Sequence, residues 1–197
     1  MAKDTRTRMI ETTARLLQHR GYYGTSLSDI LEASGAPRGS LYFHFPGGKD
    51  QLVLEATRAA VAEATHALEQ TLAAAADPAE AVRLYVGACA DLMRETDYTF
   101  GCPVAPVILD ATGGRPELAV ICRQAFEEWT QMLQTAFAAA GIAKARAHAL
   151  AVLVNAAIEG LLLIARADRD CAALAIVGAE LERIIAEALP KRRLRRA

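Results

Sequence analysis

Pro37 and the run Pro46-Gly47-Gly48 leave room between them for about two turns of helix and no more. Pro37 suits a first helical turn, where a missing N–H costs nothing, and Pro46 with the two glycines stops the helix at the other end. Leu41 and Phe45, at i and i+4, then face inward. What remains of "GAPRGSLYFHF" (35–45) includes an arginine, two glycines, a serine, a tyrosine and a histidine. That mixture suits neither a buried helix nor a plainly solvated one, and fits a helix lying against something polar and anionic. The alternative is an ordinary amphipathic turn on a protein surface.

Two more helical patterns precede this segment. Ile10, Ala14 and Leu17 make an apolar stripe on a first helix that stops near "RGYYG", with Gly21 at C′ and Arg20 in the last turn. Ser26 followed by Asp29 reads as a capping box opening a second helix, with Leu27, Ile30 and Leu31 on its apolar face and Gly35 closing it. Helix, helix, tight turn and short helix within 45 residues is a helix-turn-helix arrangement. These helices carry too little apolar surface to stand alone, so the next one, "KDQLVLEATRAAVAEATHALEQTL", must cover them through Leu52, Val53 and Leu54.

The remaining chain repeats the same period without an alternating strand. Helices are expected at about 79–96, through Ala140 after "GGRPE", at about 145–167 and at about 171–189. A short apolar piece, "VAPVILDA", follows the break "TDYTFGCP". Hydrophobic residues make up 53% and charged residues 23%, which argues against disorder as the general state. The expected fold is all-α: a helix-turn-helix unit at 1–50, a larger helical body at 51–190 and a basic tail at 191–197.

Charge is unevenly placed. Seven basic residues face five acidic ones in 1–50, ten face eighteen in 51–190, and five face none in the tail. A polyanion would therefore meet the ends of the chain. The tail "KRRLRRA" either adds non-specific phosphate affinity or is merely solvated.

Several chemistries find no support. The four cysteines (89, 102, 122, 171) form no CxxC pair and read as reduced thiols. The four histidines (19, 44, 66, 148) show no HxxxH or HExxH spacing, so neither a metal nor a cofactor is expected. No nucleophile–base spacing or phosphate loop points to an enzyme, and no catalytic residue is assigned. "MAKDTRTRMIETT" has no apolar stretch behind its charges, and His148, Asn155 and Glu159 interrupt the most apolar segment. A cytoplasmic protein, without a membrane span, is expected.

As a recognition helix, the segment within 35–45 would enter the major groove of B-DNA. Arg38, Gly39, Ser40 and Tyr42 are the candidates for base contacts: Arg38 for a guanine edge, Gly39 and Ser40 for close approach, Tyr42 for a thymine methyl. Thr25, Ser26, His44 and Lys49 are the candidates for phosphate contacts flanking the groove.

At these residues the chain resembles the TetR family of bacterial transcriptional regulators. "TSLSDILEASGAPRGSLYFHFPGGKDQL" is similar to its DNA-binding signature, with the landmarks in register over residues 8–56. The extra glycine in "FPGGKDQL" and the later "FGCPVAPVILDA", "PEL" and "AFEEW" resemble the LmrA/YxaF-like branch. Pro37 departs from the family pattern, where a Ser or Thr often caps this helix. The resemblance implies a repressor that binds a pseudo-palindromic operator as a homodimer. It also implies that a small, planar aromatic effector in the body displaces helix four and releases the DNA.

In the body, Tyr98, Phe100, Cys102, Phe126, Trp129, Met132, Asn155 and Glu159 are the candidate pocket residues: apolar walls with a few polar groups. Aromatics at this spacing are equally compatible with an ordinary core, and Glu159 with a dimer interface. Cys102, between Gly101 and Pro103 in a helix break, is either a redox- or electrophile-sensing thiol or a small buried hydrophobe. The last two helices are too apolar for exposure, which points to packing between two chains, with Gly160 and Gly178 permitting close approach.

Overall fold

A computed structural model describes residues 4–190, so the basic tail 191–197 lies outside the described residues. Among the described residues there are nine α-helices and no strand. They are α1 (Thr5–Arg20), α2 (Leu27–Ser34), α3 (Arg38–His44), α4 (Gly48–Ala74), α5 (Pro78–Glu95), α6 (Ala105–Ala111), α7 (Pro116–Ala139), α8 (Lys144–Asp168) and α9 (Ala172–Ala188), with a 3-10 turn at Thr112–Gly114 before α7. The all-α class matches the helical periodicity of the sequence.

The described residues form two compact units. Residues 4–66 join 96–125 in the first, and 67–95 join 126–190 in the second. Residue 50 lies in the first turn of α4, and α6 packs on α1, so the first unit recruits a segment far along the chain. α4 and α7 each run through both units.

Local rules explain the first unit. The Asp4 side chain caps α1 by accepting from the Thr7 N–H at 2.8 Å. The buried stripe of α1 is Met9, Thr13 and Leu17, one step round from the expected Ile10–Ala14–Leu17 line, with Ile10 and Ala14 half-buried. Thr13 tolerates burial because its hydroxyl donates to the Met9 carbonyl at 2.7 Å. The predicted capping box opens α2, and Gly35 closes it in the left-handed region at φ +64°. Pro37 stands one residue before α3 and supplies no side-chain cap. Met9, Ile30, Ala36, Leu41, Phe45 and Leu52 then form one buried cluster from α1, α2, α3 and α4.

In the second unit α5 packs most extensively on α9, and α8 packs on both. α8 is long and apolar enough to cross a bilayer by length and composition. Its Ala147, Leu150, Ala151, Val154, Ile158, Leu161 and Leu162 are nevertheless buried within this unit. Gly178 was expected to serve contact between chains. It serves the α5–α9 contact within one chain, where an added Cβ would lie 2.8 Å from Val86 Cγ1.

Gly21 is the tightest backbone requirement. At φ +68° and ψ −176° it occupies a region essentially reserved for glycine, and an added Cβ would fall 2.0 Å from Asp110 Oδ2. Gly21→Ala is expected to cost about 1–3 kcal/mol of stability, read from chemical denaturation.

Candidate nucleic-acid interface

α3 is seven residues long and is held by its inward side. Leu41 and Phe45 are fully buried, while Arg38, Gly39, Tyr42 and Phe43 are exposed. Open space lies where a Gly39 side chain would project, so a surface can approach the backbone there. Ser40 donates its hydroxyl to the Pro37 carbonyl at 2.6 Å, which ties its side chain back to the start of α3. The oxygen lone pairs remain as acceptors. His44 is half-buried with its ring edge-on to Phe43, centroids 5.0 Å apart.

The expected flanking residues divide. Ser26 is exposed, but its hydroxyl donates to the Asp29 carboxylate at 2.7 Å and accepts from the Asp29 N–H at 3.1 Å. Its polar groups serve the start of α2. Thr25, expected to contact phosphate, is 0% exposed and donates its hydroxyl to the Gly21 carbonyl at 2.8 Å. It fixes the turn between α1 and α2 and offers no surface group to a phosphate. Lys49 is turned inward: its Nζ donates to the Tyr22 carbonyl at 2.8 Å and lies 4.0 Å from the Tyr22 ring centroid.

Two features escaped the sequence reading. Phe43 is 80% exposed, the largest apolar group that α3 presents. The signal was available, because inward Leu41 and Phe45 leave the intervening positions outward. The second is a cluster around Tyr22. Its hydroxyl donates to Asp50 Oδ1 at 2.5 Å, and the same oxygen accepts from Arg115 Nε at 3.0 Å. Arg115 Cζ stands 3.9 Å from the Tyr22 centroid. A contact spanning 65 residues leaves no local pattern.

These neighbours shift the titrating groups. The Tyr22 hydroxyl and then the Arg115 guanidinium hold the Asp50 carboxyl below the usual aspartate range. Burial, then the proximity of Arg115, lowers Lys49. Burial, then the Asp50 carboxylate, raises Tyr22.

The candidate pocket residues do not form one group by unit. Tyr98, Phe100 and Cys102 belong to the first unit, and Phe126, Trp129, Met132, Asn155 and Glu159 to the second. Within the second, Phe126 and Trp129 meet edge-on at 5.5 Å, and Asn155 Nδ2 donates to Thr130 Oγ1 at 3.0 Å. Asn155 is therefore already partnered between α7 and α8. Two recesses in this unit, of about 540 and 280 Å³, include none of the candidate residues. The smaller lies between α5 and α9 over Val86, Ala90, Leu174 and Gly178. Cys102 is buried, not accessible as a sensing thiol would need to be. Burial pushes Cys89 up to about 12, with Glu159 adding to it, and Cys122 up to about 11.

A short helix anchored by two apolar residues, its polar side bare and set behind a capped partner helix, defines a helix-turn-helix DNA-binding regulator. Residues 9–56 match the family model described as "Bacterial regulatory proteins, tetR family". Residues 78–180 match "Transcriptional regulator LmrA/YxaF-like, C-terminal domain". The chain belongs to the TetR family of transcriptional regulators, in its LmrA/YxaF-like branch.

It is 38% identical over 196 residues to an uncharacterized HTH-type transcriptional regulator of Mycobacterium tuberculosis, covering 95% of this chain and 97% of that one. It is 33% identical over 161 residues to the HTH-type transcriptional regulator LmrA of Bacillus subtilis, covering 82% and 86%. A TetR-family regulator from Cytophaga hutchinsonii superposes with a TM-score of 0.81 at 25% identity, over 95% of this chain and 96% of that one. The fold is also that of a CifR cysteine mutant solved with 26-bp double-strand operator DNA, at a TM-score of 0.75, 23% identity and coverage of 96% and 98%.

Because the Asp50 carboxyl is depressed in the folded state, its contribution is present above the ordinary aspartate value of about 4 and is lost as pH falls through the folded value. Asp50→Asn should flatten the stability-versus-pH curve in that acid range and leave its shape near neutrality unchanged, as read by thermal unfolding across pH.

Proposed function

We propose that the protein is a cytoplasmic homodimeric repressor that binds a pseudo-palindromic operator and is released by a small hydrophobic or aromatic effector. The observation that carries the DNA-binding half is α3: Leu41 and Phe45 buried, with Arg38, Gly39, Tyr42 and Phe43 outward. In this reading Arg38, Gly39, Ser40 and Tyr42 meet base edges. Arg38 suits guanine O6/N7, and Tyr42 suits a thymine methyl or a phosphate. His44 flanks the groove, while Lys49 stays on Tyr22. Positive charge in residues 1–50 favours a polyanion at this end.

The dimer half rests on α8 and α9. Val152, Leu153, Leu163 and Ile164 are exposed on α8, recurring with Ala149, Ala156 and Gly160 at the spacing of a single helical stripe. Ile176, 71% exposed, lies on the outward line of α9 with Ala172 and Ala179. An apolar stripe of this length needs a partner, and a second copy gives two recognition helices related by a two-fold axis. Open space at Gly160 leaves room for close approach. The effector half is assigned to the apolar residues of the body, including Phe126, Trp129 and Met132, with Glu159 as a polar group. An effector releases DNA only if it binds the DNA-incompetent state more tightly.

The test is binding of the purified protein to its own upstream DNA with non-specific competitor, repeated across planar aromatic compounds. Specific binding that one of them reverses is the expected result. Arg38→Ala should lower specific affinity by about five- to 150-fold while the dimer persists, since a bidentate arginine–guanine contact is worth about 1–3 kcal/mol. Unchanged operator affinity would remove Arg38 from the interface. Leu163→Arg should shift the protein to monomer in size-exclusion chromatography and abolish operator binding. A dimer unaffected by that change would move the interface elsewhere.

A further inference from the structure

We propose that Arg115 is a positioning residue through which α7 governs the DNA-binding helices, acting by its hold on Tyr22 and Asp50. The proposal rests on the operator-binding reading and adds a route to it. Tyr22 sits in the turn between α1 and α2, and its ring is contacted by two cations from distant parts of the chain. Lys49, at the start of α4, lies 4.0 Å from the ring centroid, and Arg115, immediately before α7, lies 3.9 Å from it. Asp50 binds both the Tyr22 hydroxyl and Arg115 through one oxygen. It offsets the repulsion that two cations at one ring would otherwise suffer. Lys49 in turn reaches the Tyr22 carbonyl. The turn that leads into α2 is thus fixed to the first residues of α4 and to the residue that opens α7.

The local structure of α7 does not call for an arginine at this point. A cation at a helix N-terminus opposes the helix dipole, and Glu117 is the acidic residue of the first turn. Arg115 is therefore explained by what it holds and not by the helix it precedes. α7 carries a single buried stripe along its length. Leu118, Cys122, Ala125, Trp129, Leu133 and Phe137 are buried at successive steps of four, three, four, four and four, one unbroken stripe on a continuous helix. The first three belong to the first unit and the last three to the second. A shift imposed on the Trp129 end reaches Arg115 through the helix backbone, and from there the Tyr22–Asp50–Lys49 cluster. Linkage requires the reverse as well: operator bound at α3 must alter the environment of α7.

Trp129 is the single tryptophan of the chain, so intrinsic emission reads α7 directly. The experiment uses the full-length protein and the operator identified from its own upstream DNA. Saturating operator is expected to change Trp129 emission in the wild type, while non-specific DNA of equal length does not. Arg115→Ala should keep the dimer and the thermal transition, lower operator affinity about three- to tenfold, and lose the emission change at saturation. Arg115→Lys, which keeps a cation beside Asp50 and the ring, should recover part of both. If Arg115→Ala fails to fold, Arg115→Lys and Tyr22→Phe carry the same two readouts, each with a reduced emission change. A wild type whose emission ignores operator, or an Arg115→Ala protein with wild-type affinity and emission change, overturns the proposal and leaves the repressor reading intact. A wild type with no specific binding overturns the repressor reading itself.

Discussion

The burial of Leu41 and Phe45 against Met9, Ile30 and Leu52 is the contact on which the DNA-binding end depends. A seven-residue helix has no stability of its own in water, because nucleation costs more than so few hydrogen bonds return. Full burial of a leucine and a phenylalanine contributes about 1.5–3 kcal/mol each, which is what keeps α3 folded. The cost falls on sequence freedom. Positions 41 and 45 must be apolar, 37 and 46–48 must stop the helix, and the positions between are released for recognition. The same anchoring is reinforced from outside the cluster, where Arg6 pairs with Glu55 and lies over the Phe45 ring at 5.5 Å.

Much of this was legible in the sequence because it is governed by short-range rules. Two prolines and two glycines bounded α3, Ser26 and Asp29 announced the capping box, and Gly21 and Gly35 marked helix ends that the backbone dihedrals require. Reading failed where a polar residue had two equally good uses. A threonine before a helix can reach a phosphate or bond backward to a carbonyl, and Thr25 does the latter because the tight turn at Gly21 brings that carbonyl within 2.8 Å. Lys49 likewise looked like a phosphate ligand until Tyr22, 27 positions away in sequence, supplied both a ring and a carbonyl. In the body, periodicity identified the long helices, left α6 as only a short apolar piece, and said little about which side of each was outward. Gly178 shows why: a small residue permits close approach to any neighbour, and here the neighbour is Val86 of the same chain.

The distribution of buried and exposed apolar groups gives the second unit its character. α8 buries Leu150, Val154, Ile158 and Leu161 and still leaves Val152, Leu153, Leu163 and Ile164 outside. A helix that is apolar on nearly every side passes a test of length and composition for a membrane span, as the core helix of a soluble protein also does. Asn155, the polar residue midway along it, donates to Thr130 of α7 and so joins the two helices.

Among the described residues, two long helices, α4 and α7, have residues in both units. α4 joins the DNA-binding helices to the body directly, with Leu52 in the first core and Leu68 buried further along. Arg115, just before α7, lies beside the turn between α1 and α2. Lys49 at the start of α4 and Arg115, the residue before α7, both lie on the ring of Tyr22. Two cations on one ring are tolerable because Asp50 accepts from both the Tyr22 hydroxyl and Arg115. The turn between α1 and α2 is thereby held by side chains from two segments distant in sequence, one of them five residues past the end of α3.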